Sequence, residues 1–294
     1  MKKVIFKGAA TAIVTPFTDD GVNYDAFEKL IEFQISSGID ALVVCGTTGE
    51  SATMSDDEKR GVLKFAVEKV RGRVPVIAGT GGNNTAKSIE LSQYAESIGV
   101  DGIMLVTPYY NKTTQARLVE HFSAIARGVK LPIIMYNVPS RTGMNMAPNT
   151  CIELAKVDNI IAVKEASGDF SQIAQIAQKC GDDLAIYSGN DDQILPVLSL
   201  GGIGVISVLS NVMPRETSRI VHEFLDGNVK EAANLQLEAL PLTNALFCEV
   251  SPIPVKAALN MMGYEVGKPR LPLIELSAPG AEILKKEMKA SGLI

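Results

Sequence analysis

The sequence predicts an α/β protein: a (β/α)8 (TIM) barrel followed by a small C-terminal helical domain. Three observations predict it. Eight short apolar, β-branched runs recur along the chain, a helical apolar pattern follows each, and from about Gly227 onward only helical patterns remain. Alternating strands and helices imply parallel strands joined by crossover helices. Eight such units close a barrel more naturally than they spread as an open sheet.

The predicted strands run from Ala10 to Thr15, Ala41 to Gly46, Pro75 to Gly79, Gly102 to Thr107, Pro132 to Asn137, Ile160 to Glu165, Ala185 to Ser188 and Gly204 to Val208. Between them, Tyr24, Phe27, Leu30, Ile31 and Ile35 keep helical spacing, as do Val62, Phe65, Ala66 and Val70. Ser55 with Glu58 forms a capping-box pattern ahead of the second of these stretches. No strand leads into the G-x-G-x-x-G turn of a dinucleotide fold. Gly79-Thr80-Gly81-Gly82-Asn83-Asn84 comes nearest, lacks the last glycine, and is read as a loop. Helices are expected from Glu231 to Leu246, Pro254 to Met262 and Ala281 to Lys289, with Pro252, Pro254, Pro269 and Pro272 at the turns. The division expected is residues 1–226 for the barrel and 227–294 for the helical domain.

Composition narrows the classes of function. A net charge of −5 supplies no basic field for nucleic acid or anionic membrane. The N-terminus lacks the apolar core of a signal peptide, and no apolar run reaches membrane-spanning length. Cys45, Cys151, Cys180 and Cys248 lie far apart with no CxxC spacing, which fits reduced thiols and a cytoplasmic protein. Only two histidines occur, His121 and His222, both in helical patterns, so a His-rich metal site is disfavoured.

Barrel enzymes carry their reacting groups at C-terminal strand ends and in the loops beyond. The sixth strand ends Val163-Lys164-Glu165-Ala166. A lysine there faces a low-dielectric interior, which favours the neutral amine, the form that adds to a carbonyl as a Schiff base. A structural ion pair of Lys164 with Glu165 is the plainer alternative, but neighbours on a strand face opposite ways. Lys256, in Pro252-Ile253-Pro254-Val255-Lys256, is harder to assign to a solvated face than the other lysines, yet it falls outside the barrel repeat. After the second strand, Gly46-Thr47-Thr48-Gly49-Glu50 offers hydroxyls suited to a carboxylate. The fourth strand ends Thr107-Pro108-Tyr109-Tyr110 and the fifth Tyr136-Asn137-Val138-Pro139-Ser140-Arg141-Thr142-Gly143. A phenol can relay protons, and an arginine can clamp a carboxylate with two hydrogen bonds.

These four motifs, in this order and spacing, resemble the dihydrodipicolinate synthase family of class I pyruvate aldolases, and the likeness runs on to Arg270-Leu271-Pro272-Leu273. The resemblance implies a lyase of lysine and diaminopimelate biosynthesis that condenses pyruvate with L-aspartate-4-semialdehyde and needs no metal or organic cofactor. It implies that Lys164 forms the imine, that Tyr136, Thr47 and Tyr110 relay protons, and that Thr48 holds the pyruvate carboxylate. Arg141 would hold the semialdehyde, with Gly189 and the backbone of Ile206 shaping the site. It also implies a homotetramer built as a dimer of dimers, with Tyr110 reaching in from the neighbouring chain.

Some positions depart from the family pattern. Asn190 replaces an Asp, at a position where the neighbouring role is a backbone one. Ser251 replaces an Asn, with no consequence that the residues decide. Lysine-inhibited members hold lysine with a Ser-Ala pair, an Asn, a Tyr, a Glu and often a His. Here Ser51, Ala52, Asn83 and Tyr109 are kept, but Lys87 stands at the carboxylate position, and Asp56 and Lys59 stand where histidines occur. The expectation is insensitivity to lysine. N-acetylneuraminate lyase and keto-deoxy-sugar aldolases share the barrel, the lysine and the tyrosine, but a polyhydroxylated substrate has no need of Arg141. A non-catalytic descendant would show a broken site, and every matched position is filled.

Overall fold

A computed structural model describes residues 2–294. All eight expected strands form: β1 (Gly8–Ala12), β2 (Ala41–Val44), β3 (Val76–Gly79), β4 (Gly102–Val106), β5 (Ile133–Asn137), β6 (Ile160–Glu165), β7 (Ala185–Ser188) and β8 (Gly204–Ser207). They pair in parallel, each with the next, and β8 closes on β1. The bounds of β6 and β7 are those expected, and most others are one or two residues shorter. β1 is displaced. Its start was hidden by Gly8, which sits against Gly204 so tightly that a Cβ on Gly204 would lie 2.1 Å from the Gly8 carbonyl oxygen. It ends early because the Val14 N–H turns from the sheet to Asn211 Oδ1, 3.1 Å away. A two-residue hairpin, Phe17–Thr18 against Gly21–Val22, follows β1 and was not anticipated; such short strands carry no readable period.

Among the described residues eight helices of six residues or more surround the barrel, α1 (Tyr24–Ser36), α2 (Asp56–Val70), α3 (Thr85–Ser97), α4 (Gln115–Gly128), α5 (Pro148–Leu154), α6 (Phe170–Cys180), α7 (Ile194–Ser199) and α8 (Pro214–Leu225), and a single helical turn, Pro139–Thr142, follows β5. The Ser55–Glu58 capping box at the start of α2 is closed in both directions. Beyond the barrel come α9 (Val229–Ala245), α10 (Ile253–Met261) and α11 (Ala278–Ala290). Pro254 lies in the first turn of α10 and not between elements, a position where its missing N–H costs nothing. Pro241 lies inside α9. The chain turns at 226–228, and α9 packs back along α8. No helix among the described residues is long and apolar enough to cross a membrane.

Strand alternation divides the core in two. Ala10, Ala12, Val43, Ile77, Met104, Ile134, Tyr136, Ala162, Tyr187 and Ile206 fill the barrel, while their strand neighbours, such as Val44, Leu105, Met135 and Val163, pack outward against the helices. Phe6 closes the N-terminal end, its ring stacked on Tyr187 and its carbonyl accepting from the Tyr187 hydroxyl at 2.6 Å. The opposite end is left for loops.

Candidate active site

Lys164 stands in register with Tyr136 on β5 and Tyr187 on β7, so all three face the barrel interior. The Lys164 Nζ lies 4.1 Å from the centre of the Tyr136 ring, and the residue is 5% exposed. Burial pushes its pKa down to about 7; the Asp191 carboxylate opposes that fall and the Arg141 guanidinium adds to it. Burial drives the Tyr136 phenol the other way, up to about 12, with Arg141 opposing. Glu165 faces outward. Its carboxylate accepts from Ser167 N at 2.8 Å, from Asn137 Nδ2 at 3.2 Å and from Gln172 Nε2 at 3.3 Å. That leaves no pairing with Lys164, as alternation required.

The remaining positions are set by the loops at the open end. Gly189 follows β7 and donates its N–H to the Glu165 carbonyl at 2.8 Å. A Cβ there would lie 2.7 Å from Ala166 Cβ and 3.2 Å from Lys164 Cε, so only glycine lets the loop pass the lysine this closely. Ile206 is fully buried on β8, paired with Ala10. Thr48 is buried and Thr47 exposed, within a turn bounded by two non-glycine residues in the left-handed region, Cys45 (φ 58°) and Glu50 (φ 55°). Such conformations cost about 1–3 kcal/mol each and persist where their surroundings hold them. Arg141 is exposed, near enough to bias both ionisations above, and its Nη2 donates to the Ser251 carbonyl at 3.3 Å. The unusual Ser251 therefore meets Arg141 through its backbone, whatever its side chain. Tyr110 is 91% exposed and makes little contact with its own chain. A single chain thus gathers Lys164, Tyr136 and Ile206 in the barrel with Gly189 just past β7, sets Thr47 and Thr48 in the turn after β2 and Arg141 on a single helical turn, Pro139–Thr142, after β5, and leaves Tyr110 exposed.

Two features escaped the sequence reading. Asp191 is 3% exposed; its Oδ2 accepts from Val208 N and Leu209 N at 3.0 and 2.9 Å, while Oδ1 has no partner among the described residues. It is the carboxylate that biases Lys164, and its place just past β7 meets the strand-end criterion that singled out Lys164. The other is a contact between distant segments, Glu50 with Lys256.

A parallel barrel with a desolvated amine at the end of its sixth strand defines a class, the barrel lyases whose site is built round a lysine. Within that class the chain belongs to the dihydrodipicolinate synthetase family, whose model matches residues 5–291. It is similar to the 4-hydroxy-tetrahydrodipicolinate synthase of Acetivibrio thermocellus, 56% identical over 294 residues and covering 100% of both chains. Among solved structures it is similar to dihydrodipicolinate synthase from Thermotoga maritima, with TM-score 0.97 and 41% identity over 99% of this chain and 100% of that one. It also resembles the chloride-inhibited dihydrodipicolinate synthase of Acinetobacter baumannii complexed with pyruvate, with TM-score 0.96 and 40% identity over 99% and 100% of the two chains.

Proposed function

We propose that this chain condenses pyruvate with L-aspartate-4-semialdehyde to give 4-hydroxy-tetrahydrodipicolinate, through an imine on Lys164. The observation that carries the reading is the buried amine at the end of β6, 4.1 Å from the centre of the Tyr136 ring, where burial pushes its pKa down to about 7. At pH 7 about half of such amines are uncharged, against roughly one in three thousand at a pKa of 10.5. The free pair on Nζ adds to the pyruvate ketone, water leaves, and the iminium acidifies the methyl group, which passes a proton to the hydroxyl relay as its C–H electron pair forms the enamine. The enamine carbon attacks the aldehyde, whose oxygen takes up a proton. The substrate amine then displaces Nζ as the ring closes.

Tyr136, Thr47 and Tyr110 serve as the proton relay, Thr48 as donor to the pyruvate carboxylate and Arg141 as clamp on the semialdehyde carboxylate. Gly189 and Ile206 shape the wall. Tyr110 takes part from a neighbouring chain in a homotetramer, a role suited to an exposed phenol that its own chain does not cover. Chemistry of this kind calls for no metal or organic cofactor, and we place the protein in the cytoplasm. Borohydride added with pyruvate, followed by peptide mapping, is expected to leave a reduced pyruvate adduct on Lys164. An enzyme that turns over while Lys164 stays unmodified would overturn the reading.

Feedback by lysine is expected to be absent. Ser51, Ala52, Asn83 and Tyr109 line a surface cleft together with Lys87, Lys59 and Asp56. The Asp56 carboxylate is shared by Lys59 at 3.6 Å and Lys87 at 3.8 Å, so the cleft offers an incoming ammonium two cations and an occupied carboxylate. Steady-state rates should fall less than about twofold in millimolar lysine; half-inhibition below millimolar would contradict this.

A further inference from the structure

We propose that Lys256 is a positioning residue for the reaction: from the C-terminal helices it fixes the Gly46–Glu50 turn, and with it the hydroxyls of Thr47 and Thr48. The two ends of this contact are 206 residues apart in sequence. Lys256 is fully buried on α10, Glu50 is 3% exposed, and Nζ lies 2.8 Å from Glu50 Oε1. The other carboxylate oxygen accepts from Arg270 N at 2.8 Å, and Lys256 Nζ also donates to the Lys268 carbonyl at 3.0 Å. Both cations stand over the Phe17 ring, Lys256 at 4.5 Å and Arg270 at 3.9 Å from its centre.

Glu50 is the last residue of the turn that carries the two threonines. Its N–H donates to the Thr47 carbonyl at 3.0 Å, and Gly49 N donates to Gly46 O at 3.1 Å. With Cys45 and Glu50 both left-handed, the turn holds a conformation that the backbone alone disfavours. Two grips on one carboxylate, from residues 256 and 270, supply the outside constraint. A buried ion pair seldom stabilises a fold more than well-packed apolar residues would. What it supplies here is direction: a fixed carboxylate fixes the backbone it hangs from, two residues from Thr48. The C-terminal helices thereby reach the carboxylate-binding loop without lining the site.

This inference rests on the reading of Thr48 as the donor to pyruvate. The test is the pyruvate concentration that half-saturates borohydride trapping at Lys164, measured for the wild type and for Lys256→Met as full-length protein. The variant is expected to need about tenfold more pyruvate, because a misplaced binding group weakens a geometry-dependent contact. Its pH midpoint of trapping should be unchanged, since Lys164 stays desolvated; a general loosening of the barrel would move that midpoint up. A half-saturation within about threefold of the wild type, or a displaced midpoint, overturns the proposal. Should Lys256→Met not fold, Glu50→Gln, which keeps the volume and the contact to Arg270 N, is judged by the same limits. Absence of trapping in the wild type would instead sink the imine reading itself, so the two failures are distinguishable.

Discussion

Replacing Lys164 with methionine is expected to abolish turnover and at the same time to make the protein harder to unfold. The catalytic loss should be about 10⁴-fold or more, because without the amine no covalent intermediate forms. The gain in stability follows from the same burial. In the folded state the amine titrates near 7, against 10.5 as the free side chain, so unfolded chains bind more protons between those values and stability rises with pH across that window. Below pH 7 the folded protein must carry a buried ammonium. At about 1.4 kcal/mol per tenfold displacement, that state costs about 5 kcal/mol. Methionine has a similar length and no charge to desolvate. With the void and rotamer costs of the exchange set against that relief, a net gain of about 2 kcal/mol is expected, or about 3 °C in Tm for a chain of this size. The difference should be largest at pH 6 and shrink as the pH approaches 10. Thermal unfolding of both proteins at the two pH values checks it. A variant less stable than the wild type at pH 6 would mean that Lys164 is not the desolvated amine described.

How much of this was legible follows from the range of each interaction. The sixth strand could be read to its last residue, because Ile160 to Val163 is continuously apolar, β-branched at all but Ala162, and a lysine at its end breaks the run. Alternation alone turns its neighbour Glu165 away from the interior, where three outward donors satisfy its carboxylate. β1 was misplaced by its glycine start, whose signal is a close approach to another strand and not a local preference. Asp191 and Asp192 both stand just past β7, where the strand-end criterion applies to either; the fold separates them, sealing Asp191 under the backbone at the end of β8 and leaving Asp192 exposed. Lys256 stands out from the solvated lysines in the sequence, but its partner Glu50 lies 206 residues away, and no periodicity connects the two. Tyr110 presents the reverse situation. Its motif is plain, while the chain that carries it leaves it 91% exposed.

Tyr136→Phe is expected to lower turnover by about 10²- to 10³-fold while leaving the imine at Lys164 able to form. The two groups have been moved in opposite directions by one cause: burial disfavours the ammonium and disfavours the phenolate alike. At neutral pH the pair is therefore close to uncharged, a free amine to attack and an intact phenol to give up a proton, with roughly five pH units between the two titrations. Each later proton movement needs a hydroxyl within reach, and phenylalanine removes it. Phenylalanine keeps the ring, however, which lies 4.1 Å from Nζ and shares in burying it. The pH midpoint of borohydride trapping should consequently stay near 7 in the variant while steady-state turnover collapses. Turnover within about fivefold of the wild type would remove Tyr136 from the relay. A trapping midpoint shifted toward 10 would assign the hydroxyl, and not the ring, to keeping Lys164 uncharged.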